Sequence, residues 1–272
     1  MTRYKLDKNQ MIKEFQYGSE RLNVVVLDSV SSTNDVAKQA LRDSPDQLSL
    51  IVTNRQTAGR GRSGKSFYSE LAHGLYFTLA FLPNTERIEN MPLYTLLAAA
   101  TLVETLEEVL PKPVWIKWVN DLFYEGKKVS GILSEMVSGI EGKRTPGIVV
   151  GIGLNIAGNF AETDEKVQSV AGTLFGEQTP SDFNQNVFLG AFLNHFYKNH
   201  LSFQEKGFMA IYEKHLLGIG QEVHYTINRE QKQGVIEGIN ASGHLLVRQP
   251  DQSVEVLYGQ EVHFGSNQFV EE

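Results

Sequence analysis

The chain contains no cysteine, so disulfides, thiolate metal sites and cysteine nucleophiles are excluded at once. It also lacks a long apolar run. The longest, near Leu96 to Val103, falls well short of the roughly 20 residues that a membrane-spanning helix needs. The segment Met1 to Glu20 is polar with scattered charges, unlike a secretory leader. These absences point to a cytoplasmic protein with no membrane partner. Basic charge is in deficit as well: 25 Lys and Arg stand against 32 Asp and Glu, a net charge of −7. That balance argues against a broad nucleic-acid-binding surface. None of the seven histidines forms an i,i+4 pair with a supporting glutamate, and there is no G-x-S-x-G elbow, so neither a zinc hydrolase nor an α/β serine hydrolase has support. Repeats and low-complexity linkers are absent too. What remains is a globular composition, 41% hydrophobic and 21% charged over 272 residues, enough for one large domain and a small one.

The most informative window is Gln56 to Ser66, where Gly59, Gly61 and Gly64 spell G-x-G-x-x-G while Gly59, Gly64, Lys65 and Ser66 spell G-x-x-x-x-G-K-S. Both phosphate motifs require a helix opening on the glycines, because its N-terminal N–H groups hold the phosphates. The stretch from Phe67 to Gly74 is too short for a crossover helix before the next strand-like run, Leu75 to Leu82. No acidic residue follows at the spacing of a dinucleotide site. The window nevertheless joins three glycines to Arg60, Arg62 and Lys65 with no acid among them, and it reads as a local anion-binding loop.

Elsewhere, Val24 to Leu27 reads as a buried strand leading into Ser31-Ser32-Thr33-Asn34. Val36, Ala37, Ala40 and Leu41 then fall at helical spacing, so Ser31 or Ser32 is expected to cap that helix. Leu93, Leu96, Leu97, Ala100, Val103, Leu106 and Leu110 define one apolar face of a longer helix. Val114 to Tyr124 and Lys128 to Leu133 read as two strands of a hairpin. Asn120-Asp121 interrupts the first of them, and Lys117 and Lys128 stand among apolar neighbours. Such charges need partners: either they surround a charged ligand, or Asp121 pairs with a lysine across the hairpin. Gly147 to Ile156 is a glycine-bearing buried strand followed by a helical pattern from about Ser181 to Tyr212. Short β segments begin near Gly218 (Glu222 to Ile227, Gly234 to Ile239, His244 to Arg248, Val254 to Tyr258) and predict a small β-barrel or sandwich, with a boundary near Leu217.

Taken in order, Ser32-Thr33-Asn34, Gln56 with Gly59 to Gly64, Lys117-Trp118-Val119-Asn120-Asp121, Lys128 to Leu133 and Gly151 to Asn155 resemble the ordered blocks of biotin protein ligases. The resemblance is strong over Val24 to Asn159 and weaker over the C-terminal β segments. It implies an α/β (α+β) fold: a mixed-sheet catalytic domain over residues 1–217 and a small SH3-like β-barrel domain over 218–272. It further implies that ATP and biotin are joined as biotinyl-5′-AMP, with Mg²⁺, and that biotin passes to one lysine of a biotin carboxyl carrier domain, as in acetyl-CoA carboxylase or another biotin-dependent carboxylase.

By family position, Lys128, Arg60 and Arg62 are the expected catalytic residues. Ser32, Thr33, Asn34, Gln56, Arg60, Gly61, Arg62 and Lys128 would bind biotin, and Phe67, Lys117, Asn120 and Asn155 the nucleotide. Asp121 is the one residue assigned to Mg²⁺. Phe67 stands where many relatives have Trp, and Val119 where they have Pro. Glu237 occupies the best match to a basic position in the small domain, so that domain is assigned no catalytic residue. About twenty residues precede the catalytic domain, too few for the helix-turn-helix of repressor-type ligases, and no nucleic-acid partner is expected. The alternatives are a lipoate or other carboxylate ligase of the same fold, a P-loop nucleotide hydrolase, and a catalytically weak biotin-binding regulator; monomer and homodimer both stay open.

Overall fold

The structure, a computed structural model, describes residues 5–69, 73–227, 230–259 and 262–264. The first part of the chain runs α1 (Lys8–Glu14), β1 (Leu22–Leu27), α2 (Thr33–Asp43), β2 (Leu48–Thr53), β3 (His73–Phe81), α3 (Leu93–Glu107), β4 (Trp115–Lys117), β5 (Asp121–Tyr124), β6 (Lys127–Val137) and β7 (Gly147–Ala157). It continues through α4 (Glu165–Val170), α5 (Gln185–Leu201) and α6 (Gly207–Lys214). One seven-stranded sheet has the order β1-β2-β3-β7-β6-β5-β4; β1 and β2 are parallel and the remaining pairs antiparallel.

Alternation along the central strands sends successive side chains to opposite faces. Leu50, Val52, Leu79, Phe81, Val150 and Ile152 enter the large core built with α1, α3, α5 and α6. Ile51, Ala80 and Val149 face the other way, against Ala37 and Leu41 of α2. The second face therefore carries one helix of 11 residues, about 16 Å long, across a sheet roughly 29 Å wide at the usual strand spacing. The sheet surface that α2 leaves uncovered is where the cleft forms.

The long central helix is buried all round, unlike the one-faced helix its leucine spacing predicts. Tyr94, Ala98, Ala99, Thr101, Leu102 and Thr105 are buried in addition to the expected leucine face, because α5 and α6 pack on the sides away from the sheet. Leu97 is fully buried there. Leu97→Ala should accordingly cost about 2–5 kcal/mol, read as a shift in the urea midpoint at constant slope.

Two further expectations change in detail. Val114 to Tyr124 is not one strand: Lys117 pairs with Asp121 in the register of β4 with β5, so Trp118 to Asn120 form a tight turn with a cis Trp118–Val119 peptide. The helical pattern from Ser181 to Tyr212 is broken between α5 and α6, where Lys206 takes a left-handed conformation. The C-terminal strands are β8 (Glu222–Ile227), β9 (Glu230–Ile239), β10 (Leu245–Arg248), β11 (Val254–Leu257) and β12 (Val262–Phe264). They form a separate antiparallel sheet in the order β11-β10-β9-β8-β12. No helix among the described residues is long and apolar enough to cross a membrane.

Candidate active site

A cleft of about 270 Å³ opens over the uncovered sheet face, lined from the α2 N-terminus, the loop after β2, the β4–β5 turn and strands β6 and β7. Its floor is made of glycine. Gly131 pairs with Gly153, and Leu133 with Gly151, across β6 and β7. A Cβ on Gly153 would lie 2.5 Å from the Phe67 ring and one on Gly131 3.1 Å from it. Phe67 thus lies against the strands themselves, with its ring edge toward Tyr76 and the Lys128 ammonium 6.0 Å from its centroid.

Ser32, Thr33 and Asn34 enter at the start of α2. Ser32 occupies the N-cap position, yet its side chain makes no capping hydrogen bond, so the hydroxyl is left to the cleft. Thr33 N–H donates to Gln56 Oε1 at 2.8 Å. A backbone N–H can only donate, which fixes the Gln56 amide with its oxygen toward α2 and its NH₂ available to the cleft. Asn34 is held on both ends: its Nδ2 donates to Glu135 Oε2 at 2.7 Å and its Oδ1 accepts from Thr78 at the same distance. Thr78 has one proton and the amide oxygen accepts only. The Thr33 hydroxyl, 2.7 Å from Thr78 and 3.0 Å from Gln56 Oε1, therefore donates to one of those two.

Glu135 also pairs with Lys38 at 2.7 Å. Burial would raise the Glu135 pKa, but the hydrogen bonds from Asn34 and Lys38 outweigh it and hold the carboxyl below its ordinary value. Gly151 lets this network lie on the sheet, since a Cβ there would stand 2.0 Å from Asn34 Oδ1. Gly151→Ala should evict the Asn34 amide and leave buried groups unpaired, at about 1–3 kcal/mol of stability. Its ligand affinity should fall with it, as calorimetric titration of the folded variant would show.

The loop between Gly59 and Phe67 is a small hairpin. Gly61 N–H donates to Lys65 O at 2.7 Å, Phe67 N–H to Gly59 O at 2.9 Å, and Arg60 bridges Ser66. Gly64, at φ +74°, makes its turn. Arg62 to Gly64 form a short 3₁₀ turn, after which Lys65 is extended. No helix opens on Gly64-Lys65-Ser66, and the P-loop reading fails for that reason.

The cleft's cations are compensated unequally. Arg60 pairs with Asp35 at 2.6 Å and Lys128 with Asp121 at 2.7 Å, so the lysine pairing across the hairpin that the sequence left open does occur. Arg62 instead donates to two neutral acceptors, Asn120 Oδ1 at 2.8 Å and the Gly259 carbonyl, and forms no ion pair among the described residues. Burial lowers the Arg62 pKa, an effect that nearby Asp121 and Tyr212 oppose. Lys117 is likewise lowered by burial, against the attraction of Asp121 and with the repulsion of Lys128 and Lys65. Among the described residues, Asp121 is the one carboxylate lining the cleft beside five basic side chains. Its Oδ1 accepts from Asn120 Nδ2 at 3.1 Å, and no group of three or more potential metal ligands exists among the described residues. That donor set suits an ion carried by phosphates and touched by one carboxylate; a cage built by the protein itself is absent from the described residues.

A model of the biotin/lipoate A/B protein ligase family matches residues 26–155, and one of the biotin protein ligase C-terminal domain matches residues 218–268. The chain belongs to the biotin/lipoate A/B protein ligase family. It is 27% identical over 246 residues to the bifunctional ligase/repressor BirA of Bacillus subtilis, covering 89% of this chain and 74% of that protein. It is 28% identical over 244 residues to the biotin–[acetyl-CoA-carboxylase] ligase of Paracoccus denitrificans, covering 87% and 99%. A solved structure of the Aquifex aeolicus biotin protein ligase in complex with biotin and ATP superposes with a TM-score of 0.70 at 28% identity, covering 89% of this chain and 98% of that one. The expected fold of mixed-sheet domain plus small C-terminal β unit is that of this family.

Of the site residues expected from sequence, the structure brings Ser32, Thr33, Asn34, Gln56, Arg60, Gly61, Arg62, Phe67, Lys117, Asn120, Asp121 and Lys128 to the ligase cleft. Asn155 is the exception. It is buried beside the chain that returns after β7, where its Nδ2 donates to Gly172 O at 3.0 Å. It shares a strand face with Gly151 and Gly153 but lies beyond the cleft lining, toward the end of β7. Four contributors were not anticipated. Thr78, Glu135 and Lys38 form the network beneath Asn34, and Gly259 reaches the cleft from the C-terminal unit. Glu237, where a basic side chain was sought, pairs with Arg248 at 2.8 Å. A cross-sheet alternation argument could have found Thr78, but nothing local marks Gly259.

Proposed function

We propose that the chain activates biotin with ATP and transfers it to a lysine of a biotin carboxyl carrier domain, with residues 1–217 carrying the chemistry. The biotin carboxylate oxygen attacks the α-phosphorus, the bond to the bridging oxygen breaks, and pyrophosphate leaves, giving biotinyl-5′-AMP. The carrier's lysine amine then attacks the acyl carbon, AMP departs, and the amine loses a proton.

The observation that carries this reading is the convergence on one glycine-floored cleft of an oriented amide donor and five basic side chains, beside a single lining carboxylate among the described residues. Gln56 Nε2 and the Ser32 hydroxyl suit the ureido group, and the glycine floor with Phe67 suits an apolar ring system. Two anions must be brought together in the first step, and preorganised cations lower that cost where charge accumulates. Lys128 and Arg62 take that role. Lys117 and Asn120 serve the nucleotide, and Arg60, neutralised by Asp35, mainly shapes the loop. Mg²⁺ would arrive on the nucleotide phosphates with Asp121 as its one protein ligand, supplying charge neutralisation.

A lipoate ligase of the same fold is the second reading. The match of residues 218–268 to a biotin protein ligase domain favours biotin. Mass spectrometry of a carrier domain incubated with ATP and either biotin or lipoate decides between them. A mass gain with biotin alone is expected, and a gain with lipoate alone would overturn the assignment.

A further inference from the structure

The C-terminal unit is docked firmly beside the cleft. Trp118 Nε1 donates to the Gly243 carbonyl at 3.0 Å in a buried contact. Gly243, at φ +78°, is so close to α3 that a Cβ would stand 2.7 Å from Leu96. Lys206 Nζ caps the same loop through the Ala241 carbonyl at 2.8 Å. Next to Trp118, the Val119 carbonyl accepts from the buried Tyr212 hydroxyl at 3.1 Å, and the following residue, Asn120, is anchored by Nδ2 to Ile132 O at 3.0 Å. The turn that receives the C-terminal unit therefore also carries one of the two acceptors that hold Arg62. The other acceptor, Gly259 O, belongs to the C-terminal unit itself.

An arginine has five N–H groups and a planar fork. Two are taken by Asn120 Oδ1 and Gly259 O, and both acceptors are neutral, so the guanidinium is oriented without losing its charge. We propose that the C-terminal unit sets the lifetime of the bound acyl adenylate: through the Gly259 carbonyl it positions Arg62 over the cleft with uncompensated charge toward the phosphoryl group. This rests on the adenylate-forming reading above. Arg62 would contact the ligand, and Gly259 acts through it as a positioning residue. A unit that lends the cleft only Gly259 among the described residues thereby acquires a part in the chemistry.

Gly259→Ala is the direct test. A Cβ there would lie 3.0 Å from Arg62 Nη2 and 3.3 Å from Val119 Cγ1. Its nearest neighbour is the far end of a flexible side chain, and Gly259 does not occupy the left-handed region. The substitution should therefore displace the guanidinium while leaving the fold intact. The expected result is escape of preformed adenylate from the purified complex faster by ~10-fold, with an unchanged melting temperature. In an Arg62→Gly background the same substitution should add nothing, since the two act through one contact. Arg62→Lys, which keeps the charge but cannot span both acceptors, should release adenylate faster as well. An adenylate lifetime equal to the parent's in both single variants, or a Gly259→Ala effect that persists undiminished without Arg62, overturns the inference. A parent protein that makes no biotinyl-AMP overturns the underlying reading and this one with it.

Discussion

Replacing Lys128 with alanine should lower the rate of biotinyl-AMP formation by at least ~10²-fold, the scale for losing a preorganised charge donor. Two effects compound. The ammonium 2.7 Å from Asp121 disappears, and with it the neutralisation of the one carboxylate lining the described cleft. The freed Asp121 charge then opposes the approach of carboxylate and phosphate. Lys65→Ala should cost far less, because Lys65 lies exposed on the loop hairpin with no helix N-terminus behind it. Pyrophosphate release with ATP and biotin measures both. The reverse order, with Lys65→Ala inactive and Lys128→Ala close to parent, would remove the ligase mechanism. The double variant Lys128→Ala with Asp121→Ala should recover part of the loss, which separates the stranded carboxylate from the missing donor.

Arg62→Gly should release the reactive adenylate roughly 10–100-fold faster than the parent. Removing a hydrogen bond to a charged group costs about 1.5–3 kcal/mol, and the loss falls on dissociation when the contact forms after encounter. The loop hairpin should survive, since its backbone bonds between Gly61 and Lys65 and between Phe67 and Gly59 do not involve the Arg62 side chain. Escaped biotinyl-AMP acylates exposed amines. Biotin should therefore appear on bystander proteins in a mixture while carrier labelling becomes less efficient. Bystander labelling at the parent's level, with equal adenylate retention through a desalting column, would remove Arg62 from the site.

Much of the site was legible because its chemistry is written in short windows. The hydroxyls of Ser32 and Thr33 follow a strand and open a helix, the glycines and arginines of the loop sit within six residues of one another, and Lys117 to Asp121 and Lys128 to Leu133 share a hairpin. Strand positions followed from apolar runs for the same reason. The misjudged features depend on long-range packing. The tight turn at Trp118 to Asn120 is set by docking of the C-terminal unit and by Tyr212, about 90 positions away along the chain. The full burial of α3 reflects where α5 and α6 come to rest.

The sequence by itself determined the elements, the family blocks and the identity of the cations, because those rest on local periodicity, turn chemistry and spacing. Only the tertiary structure decided which cations remain uncompensated. Arg60 and Lys128 each meet a carboxylate, while Arg62 meets two neutral oxygens, one contributed 197 residues downstream. Nor could the sequence show that Asn34 lies pinned over Gly151, that Phe67 lies on the floor formed by Gly131 and Gly153, or that Asn155 is tied to the Gly172 carbonyl outside the cleft lining. Charge balance and access in a cleft depend on which atoms come within a few ångströms, and that distance is fixed by how the strands pair and by the one helix that leaves part of the sheet bare.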